Sequence, residues 1–307
     1  MSRPEVWDRE RLLAEPLGDA VVWSTRCVQA LVEAALDPPI LSPDQPFPPY
    51  AATLIVFGGG TLMDRAKQLR RDRSPGLRLI VVPTLWGSGA EGSRIVVLSG
   101  PDGKTISVDD ENLPDVRVHW PELCESVPEN LARFACGDAW AHALESLLSP
   151  LGTATSREEA GAVLRRMMSL PLAWHADWLE CSLLACKCQA ASSVGLVHGI
   201  AHRLETPLLR SGKEGWGHAR LCSLYLTPVQ AFVRQSTPKW DERVRATALD
   251  PETVSSKLRP LFNQEDYSLL LPFLEAHWKE ILRDPCTRTN AALVRPSTLD
   301  FFREFRQ

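Results

Sequence analysis

The sequence has no CxxC pair, no low-complexity tract, no internal repeat, no large charge imbalance and no apolar run long enough to span a bilayer. Each absence removes a class of protein. The eight cysteines (Cys27, Cys124, Cys136, Cys181, Cys186, Cys188, Cys222 and Cys286) predict no disulfide framework. Three of them crowd the stretch WLECSLLACKCQAA, which reads as a buried helix where cysteine acts as a small apolar side chain. A net charge of −4, from 34 basic and 38 acidic residues, gives no hint of a nucleic-acid or anionic-membrane partner. Without an apolar segment of about 20 residues, no transmembrane helix is expected. The first residues, MSRPEVWDRERLLAEP, are charged throughout and lack a signal-peptide apolar core, so the cytoplasm is the expected location.

What is present is the composition of an ordinary globular protein, 44% hydrophobic and 23% charged, in 307 residues that suit two domains. Near the N-terminus AVVW at 20–23 is a short strand-like run, followed by Ser24, Thr25 and a helical pattern over 26–36. No helix can propagate through the proline-rich stretch at 37–50. TLIVF at 53–57 and the apolar run at 78–82 read as strands buried on both faces of a parallel sheet. Each runs into a glycine-rich turn: GGGTLMDRAK, with Gly58, Gly59 and Gly60, and PTLWGSGAEGS, with Gly87. Glycines let backbone approach a phosphate, and the following helix offers free N–H groups and a positive dipole end. A plain tight turn explains GGG equally well. Asp64 and Lys67 on the next helix, and the hydroxyls of Thr84, Ser88 and Ser93, strengthen the phosphate or ribose reading.

From about residue 122 the pattern turns helical: PENLARFACG, DAWAHALESLLS, SREEAGAVLRRMMSL, LECSLLACKCQAASSVG, ARLCSLYLTPVQAFVRQ and YSLLLPFLEAHWKEILRD. We therefore expect an α/β nucleotide-binding domain over 1–122 and an all-α domain over 123–307. Two motifs in the second part concentrate metal-ligating side chains. GDAWAHALE sets Asp138 and His142 one helical turn apart on one face, and GLVHGIAHRLE does the same for His198 and His202. His218 follows in GWGHARL. One carboxylate and three imidazoles make a first shell suited to iron or zinc.

Together these motifs resemble the iron-containing (group III) alcohol dehydrogenase family, from about residue 20 to about residue 230. GGGTLMDRAK is similar to the family's pyrophosphate loop GGGSxxDxAK, and PTLWGSGAEGS to its second loop PTTxGTGSE. LPDVRVHWPEL resembles the link between its domains. The resemblance implies a dehydroquinate-synthase-like architecture with the site in the cleft between an α/β and an all-α domain. It implies Asp138, His142, His198 and His218 as metal ligands. It places His202 beside the substrate, as the proton relay. The implied activity is that of a metal-dependent NAD(P)-linked alcohol dehydrogenase, or aldehyde or ketone reductase, with Fe2+ as the metal and Zn2+ as the alternative. Its partner would be a small-molecule or peptide substrate, with no nucleic acid and no membrane, and a homodimer stays open.

The chain also departs from the pattern. The segment between AVVWST and TLIVFGGG is short by about a helix, so the nucleotide domain is trimmed. Ser24 and Thr25 stand where relatives often carry an NAD-selecting aspartate, which leaves NADP as an option beside NAD. Arg203 and Glu205 replace a proline and a glycine, Lys213 and Glu214 lie in an enlarged loop, and Ala219 replaces a glycine. These changes suggest a specialised biosynthetic substrate, as in phosphonate or ribosomal-peptide tailoring, carrying negative charge that Arg203 or Lys213 would meet. A lyase or cyclase of the dehydroquinate-synthase type and a partner-dependent or non-catalytic descendant are the alternatives.

Overall fold

The computed structural model describes residues 4–73, 76–100 and 103–306. Its first part is built on a parallel five-stranded sheet. The strands are β1 (Glu5–Asp8), β2 (Ala20–Ser24), β3 (Thr53–Gly58), β4 (Arg78–Pro83) and, after an antiparallel hairpin of β5 (Ile95–Gly100) and β6 (Gly103–Val108), β7 (Val116–His119). The spatial order is β1-β7-β4-β3-β2, with Val22 opposite Ile55 and Ile55 opposite Ile80. Successive side chains on a strand point to opposite faces, so the continuous apolar runs feed two layers at once. Val22, Ile55, Phe57, Ile80 and Val82 join Trp7 and Val32 in one core, whereas Val21, Leu54, Val56, Leu79 and Val81 join Met63 and Ala66 in another.

Three helices flank this sheet: α1 (Arg9–Ala14), α2 (Gln29–Ala35) and α3 (Gly60–Arg73). The proline-rich stretch after α2 forms no helix, as its composition requires. It runs beside β2 instead, where Val22 N–H donates to Pro39 and Leu41 N–H donates to Val22. One bridge of this kind occupies an otherwise open sheet edge without a further strand. β1 and the β5–β6 hairpin were not anticipated.

From Glu129 onward the described residues form helices only. They are α4 (Glu129–Leu148), α5 (Ala154–Ser169), α6 (Asp177–Ser192), α7 (Leu196–Arg210), α8 (His218–Ser236), α9 (Lys239–Ala246), α10 (Pro251–Leu258), α11 (Gln264–Ala276), α12 (Trp278–Arg283), α13 (Pro285–Arg288) and α14 (Thr298–Glu304). The two segments expected at 128–137 and 138–149 are one helix, and the single helix expected at 267–284 is divided at His277. Every residue of α4 from 135 to 148 is buried, because α5, α6 and α8 pack around it. A helix apolar on all sides must lie inside, and α4 is the axis of the larger core. No single helix among the described residues is long and apolar enough to cross a membrane.

Candidate functional site

The central helix α4 carries Asp138 and His142, α7 carries His198 and His202, and α8 opens at His218. Gly137 lets α4 and α8 approach closely, since a Cβ there would stand 2.7 Å from the Cα of Ser223. The result is a compact set of rings: His198 lies 4.5 Å from His142, 5.5 Å from His218 and 6.1 Å from His202, centroid to centroid. Asp138 Oδ1 lies 3.8 Å from His198 Nε2 and 3.8 Å from His218 Nε2.

The outward nitrogens are already claimed by acceptors. His198 Nδ1 is 2.7 Å from Glu145 Oε2, and the other oxygen of Glu145 accepts from Val197 N–H at 2.7 Å. His142 Nδ1 is 3.2 Å from the Gly87 carbonyl. An acceptor at Nδ1 holds the proton there and leaves the Nε2 lone pair facing inward. His218 differs, with Lys104 Nζ 3.4 Å and Glu205 3.8 Å from its Nδ1. Burial pushes His142 down to about 4 and His202 below the usual histidine range, and burial with the Lys104 charge pushes His218 well below it. These imidazoles are therefore neutral at neutral pH, which is the form that binds a metal.

The inward atoms have no partner. Asp138 Oδ1 and His198 Nε2 are buried and make no hydrogen bond, in residues only 2% and 1% exposed. Buried polar atoms are ordinarily satisfied, and a pair of convergent acceptors lacks only a cation between them. This donor set fits a divalent metal.

Cys222, one turn beyond His218, was missed by reading the sequence. One potential ligand atom each from Asp138, His198, His218 and Cys222 lies within 4.8 Å of the others. His142 stands beside this group, stacked on His198. His202 falls outside it as well, and its Nδ1 is 3.8 Å from Asp284 Oδ1 and 3.8 Å from Cys286 Sγ. Glu145 could have been found by extending the face of Asp138 and His142 by one more turn. Asp284 carries no local signal.

The glycine loops meet at the C-terminal ends of β2, β3 and β4, the edge where parallel sheets bind ligands. Thr25 N–H donates to Phe57 and Thr84 N–H donates to Gly58, so Ser24 and Thr25 adjoin the Gly58–Gly60 turn. A Cβ on Gly60 would stand 2.8 Å from Ser88 Oγ, so the second loop packs onto the first. Gly59, Gly60 and Ser88 stay partly exposed, whereas Thr84 is buried.

One expectation is corrected by this geometry. Asp64, Lys67 and Ser93 do not face that edge. Lys67 is fully buried, its ammonium donating to the carbonyls of Ser93 and Ile95 at 2.9 and 3.3 Å and facing Asp64 at 3.4 Å. Asp64 Oδ2 accepts from Val97 N–H, and Ser93 Oγ from Ile95 N–H. Met63, Ala66 and Lys67 share the sheet-facing side of α3 by helical spacing, so these groups brace the loop into β5. Of the charged groups on the expected substrate side, Arg203 Nε donates to Asp284 at 2.7 Å and Lys213 lies 6.0 Å above the Phe273 ring. Glu205 forms an ion pair with Lys104 of β6.

The metal cradle and the glycine edge touch. Gly87 has φ +107°, a conformation glycine adopts without strain, and a Cβ there would lie 2.9 Å from the Ala135 carbonyl. Its N–H donates to Ser182 Oγ at 3.0 Å while its carbonyl faces His142. The second loop is thereby seated against the ligand-bearing helix.

No family model matches the chain. It is 29% identical over 194 residues to a 1-propanol dehydrogenase of Salmonella typhimurium, covering 58% of this chain and 51% of that protein. It is 29% identical over 266 residues to a maleylacetate reductase of Sphingobium indicum, covering 79% and 68%, and 30% identical over 214 residues to long-chain-alcohol dehydrogenase 1 of Geobacillus thermodenitrificans, covering 61% and 53%. The matches to the 1-propanol dehydrogenase and to probable alcohol dehydrogenases span about half of those relatives' length. The fold matches solved structures over nearly the whole chain. An iron-containing alcohol dehydrogenase from Thermococcus thioreducens superposes with a TM-score of 0.75 at 16% identity, covering 99% of this chain and 98% of that one. A maleylacetate reductase from Agrobacterium tumefaciens gives 0.76 at 19%, covering 99% and 96%. A sulfoacetaldehyde reductase from Bifidobacterium kashiwanohense in complex with NAD+ gives 0.72 at 17%, covering 97% and 96%.

Proposed function

We propose that this chain is a member of the iron-containing alcohol dehydrogenase family, to which its relatives and fold are similar, and that it is a metal-dependent NAD(P)-linked oxidoreductase acting on a small molecule at a CH–OH or carbonyl group. The observation that carries this reading is the unpartnered, buried pair Asp138 Oδ1 and His198 Nε2, seated against the loop that continues the glycine-lined sheet edge. Residues 1–122 would bind the nucleotide and residues 123–307 the metal. Asp138, His142, His198 and His218 are the proposed ligands. Bound there, a divalent metal supplies Lewis acidity toward a substrate oxygen, and the dinucleotide supplies or accepts hydride.

The chain's own groups do the rest. Glu145 and the Gly87 carbonyl orient two of the imidazoles. Ser24, Thr25, Gly58, Gly59, Gly60 and Ser88 line the proposed nucleotide edge, with Thr84 and Gly87 setting the course of the second loop and Asp64, Lys67 and Ser93 bracing it. With no carboxylate at 24 or 25, either NAD or NADP can be accommodated. His202 is the proposed proton carrier, because Asp284 lies beside its Nδ1 and stabilises the ring when it takes a proton. The exchange of proline and glycine for Arg203 and Glu205 supports a substrate other than a simple alcohol.

Protein purified without oxygen should carry about one divalent metal per chain. A fluorescence titration should show NADH or NADPH binding. Absence of both metal and nucleotide binding would overturn the proposal. His202→Ala should slow turnover by about 10²- to 10⁴-fold with metal content intact.

A further inference from the structure

Of the buried nucleophilic groups that this mechanism leaves unused, Cys222 is placed where a core thiol has least reason to be. Cys124 and Cys136 lie nearest backbone carbonyls. Cys222 is fully buried on α8, four residues after His218 and therefore on the same helix face. Its Sγ is 3.5 Å from His218 Nε2, and it shares with Asp138, His198 and His218 a space in which one ligand atom from each lies within 4.8 Å of the rest. The carboxylate and the imidazole at the centre of that space are the buried atoms without a partner.

We propose that Cys222 is a metal ligand, so that the centre of this chain is a mixed imidazole, carboxylate and thiolate site that takes zinc. The inference rests on the metal reading above and refines it: Cys222 joins Asp138, His198 and His218 in a four-donor shell in place of His142, which stands beside that group. The spacing fits: an imidazole nitrogen at about 2.0–2.1 Å and a sulfur at about 2.3 Å from one ion, at a tetrahedral angle, stand about 3.6 Å apart. The separation found is 3.5 Å. Charge fits as well. A buried divalent cation is costly unless its first neighbours neutralise it, and Asp138 with a Cys222 that gives up its proton to the incoming metal would supply two negative charges. The Lys104–Glu205 ion pair next to His218 adds no net charge. Sulfur also has a consequence for metal choice, because a soft donor beside imidazoles suits zinc better than an oxygen-rich set does.

Cobalt(II) substitution of the full-length, metal-stripped protein tests this without recourse to turnover. The cobalt protein is expected to show visible d–d bands together with a near-ultraviolet thiolate-to-cobalt charge-transfer band. Cys222→Ser and Cys222→Ala should keep the d–d bands, lose the charge-transfer band and bind zinc about tenfold or more weakly, a loss at least as large as that of an outer partner. Cys286→Ser, the control for the thiol near His202, should keep both bands. Wild-type d–d bands without the sulfur band, or a sulfur band that survives in Cys222→Ser, would overturn the assignment and leave the metal reading standing. The absence of d–d bands from the wild type would overturn both. The wild-type spectrum decides the matter even where a variant fails to fold.

Discussion

The chain buries ionisable groups in two places and treats them in opposite ways. Beneath the glycine edge, Lys67 is fully enclosed, yet its ammonium meets two carbonyls and Asp64, whose other oxygen takes a backbone N–H. In the helical part, Asp138 and His198 are just as enclosed, and the atoms they turn toward each other meet nothing. Burial raises the carboxyl of Asp64 and lowers the ammonium of Lys67, the usual cost of holding charge away from water. In the first place that cost is offset within the chain, and the groups build structure. In the second it is not offset within the chain, which is what the proposed metal site requires. The contrast separates a brace from a binding site more reliably than residue type does, since both places hold a carboxylate within a helical turn of a nitrogen base.

The sharpest way to break the comparison is to unpair the brace. Lys67→Met leaves Asp64 buried without its ammonium and should lower unfolding free energy by about 3–5 kcal/mol, read from urea denaturation. A second change, Asp64→Leu, should recover part of that loss. Next in size is metal addition to stripped protein. At about a hundredfold excess over Kd, zinc should raise stability by about 2.7 kcal/mol, and the rise should vanish in His198→Ala. Glu145→Gln tests whether the acceptor behind His198 sets its orientation: metal affinity should fall about 10- to 100-fold in a competition titration, with the helical content unchanged. The smallest effect is the most telling. Asp138→Asn removes an unpartnered buried carboxylate, so the stripped protein should hold its urea midpoint or gain, within about 0.5 kcal/mol of the parent in the first case. A loss as large as that of Lys67→Met would mean that Asp138 is also a brace.

Much of this contrast lay within reach of local pattern. The strands at 53–58 and 78–83 follow from unbroken β-branched and apolar runs, and the Asp138–His142 and His198–His202 pairs from four-residue spacing. Even the inward turn of Lys67 could have been read, because Met63 and Ala66 mark the same helical face as buried. Likeness to a ligand loop outweighed that periodicity. The β5–β6 hairpin was overlooked although Ile95–Leu98 is an apolar run and Thr105–Val108 alternates, and with it Lys104, which crosses to Glu205 and His218.

The sequence by itself determined the parallel sheet, the order of helices and the presence of one carboxylate and several imidazoles at helical spacing, because those properties depend on neighbours within a turn or a strand. The tertiary structure alone decided which of their atoms would be satisfied. Glu145 reaches His198 across 53 residues, Cys286 reaches His202 across 84 and Lys104 reaches His218 across 114. Such pairings arise from how closely α4, α7 and α8 pack, a closeness that Gly137 permits and no local period encodes. The unpaired approach of Asp138 to His198 belongs to that packing, and so does the thiol of Cys222 beside it.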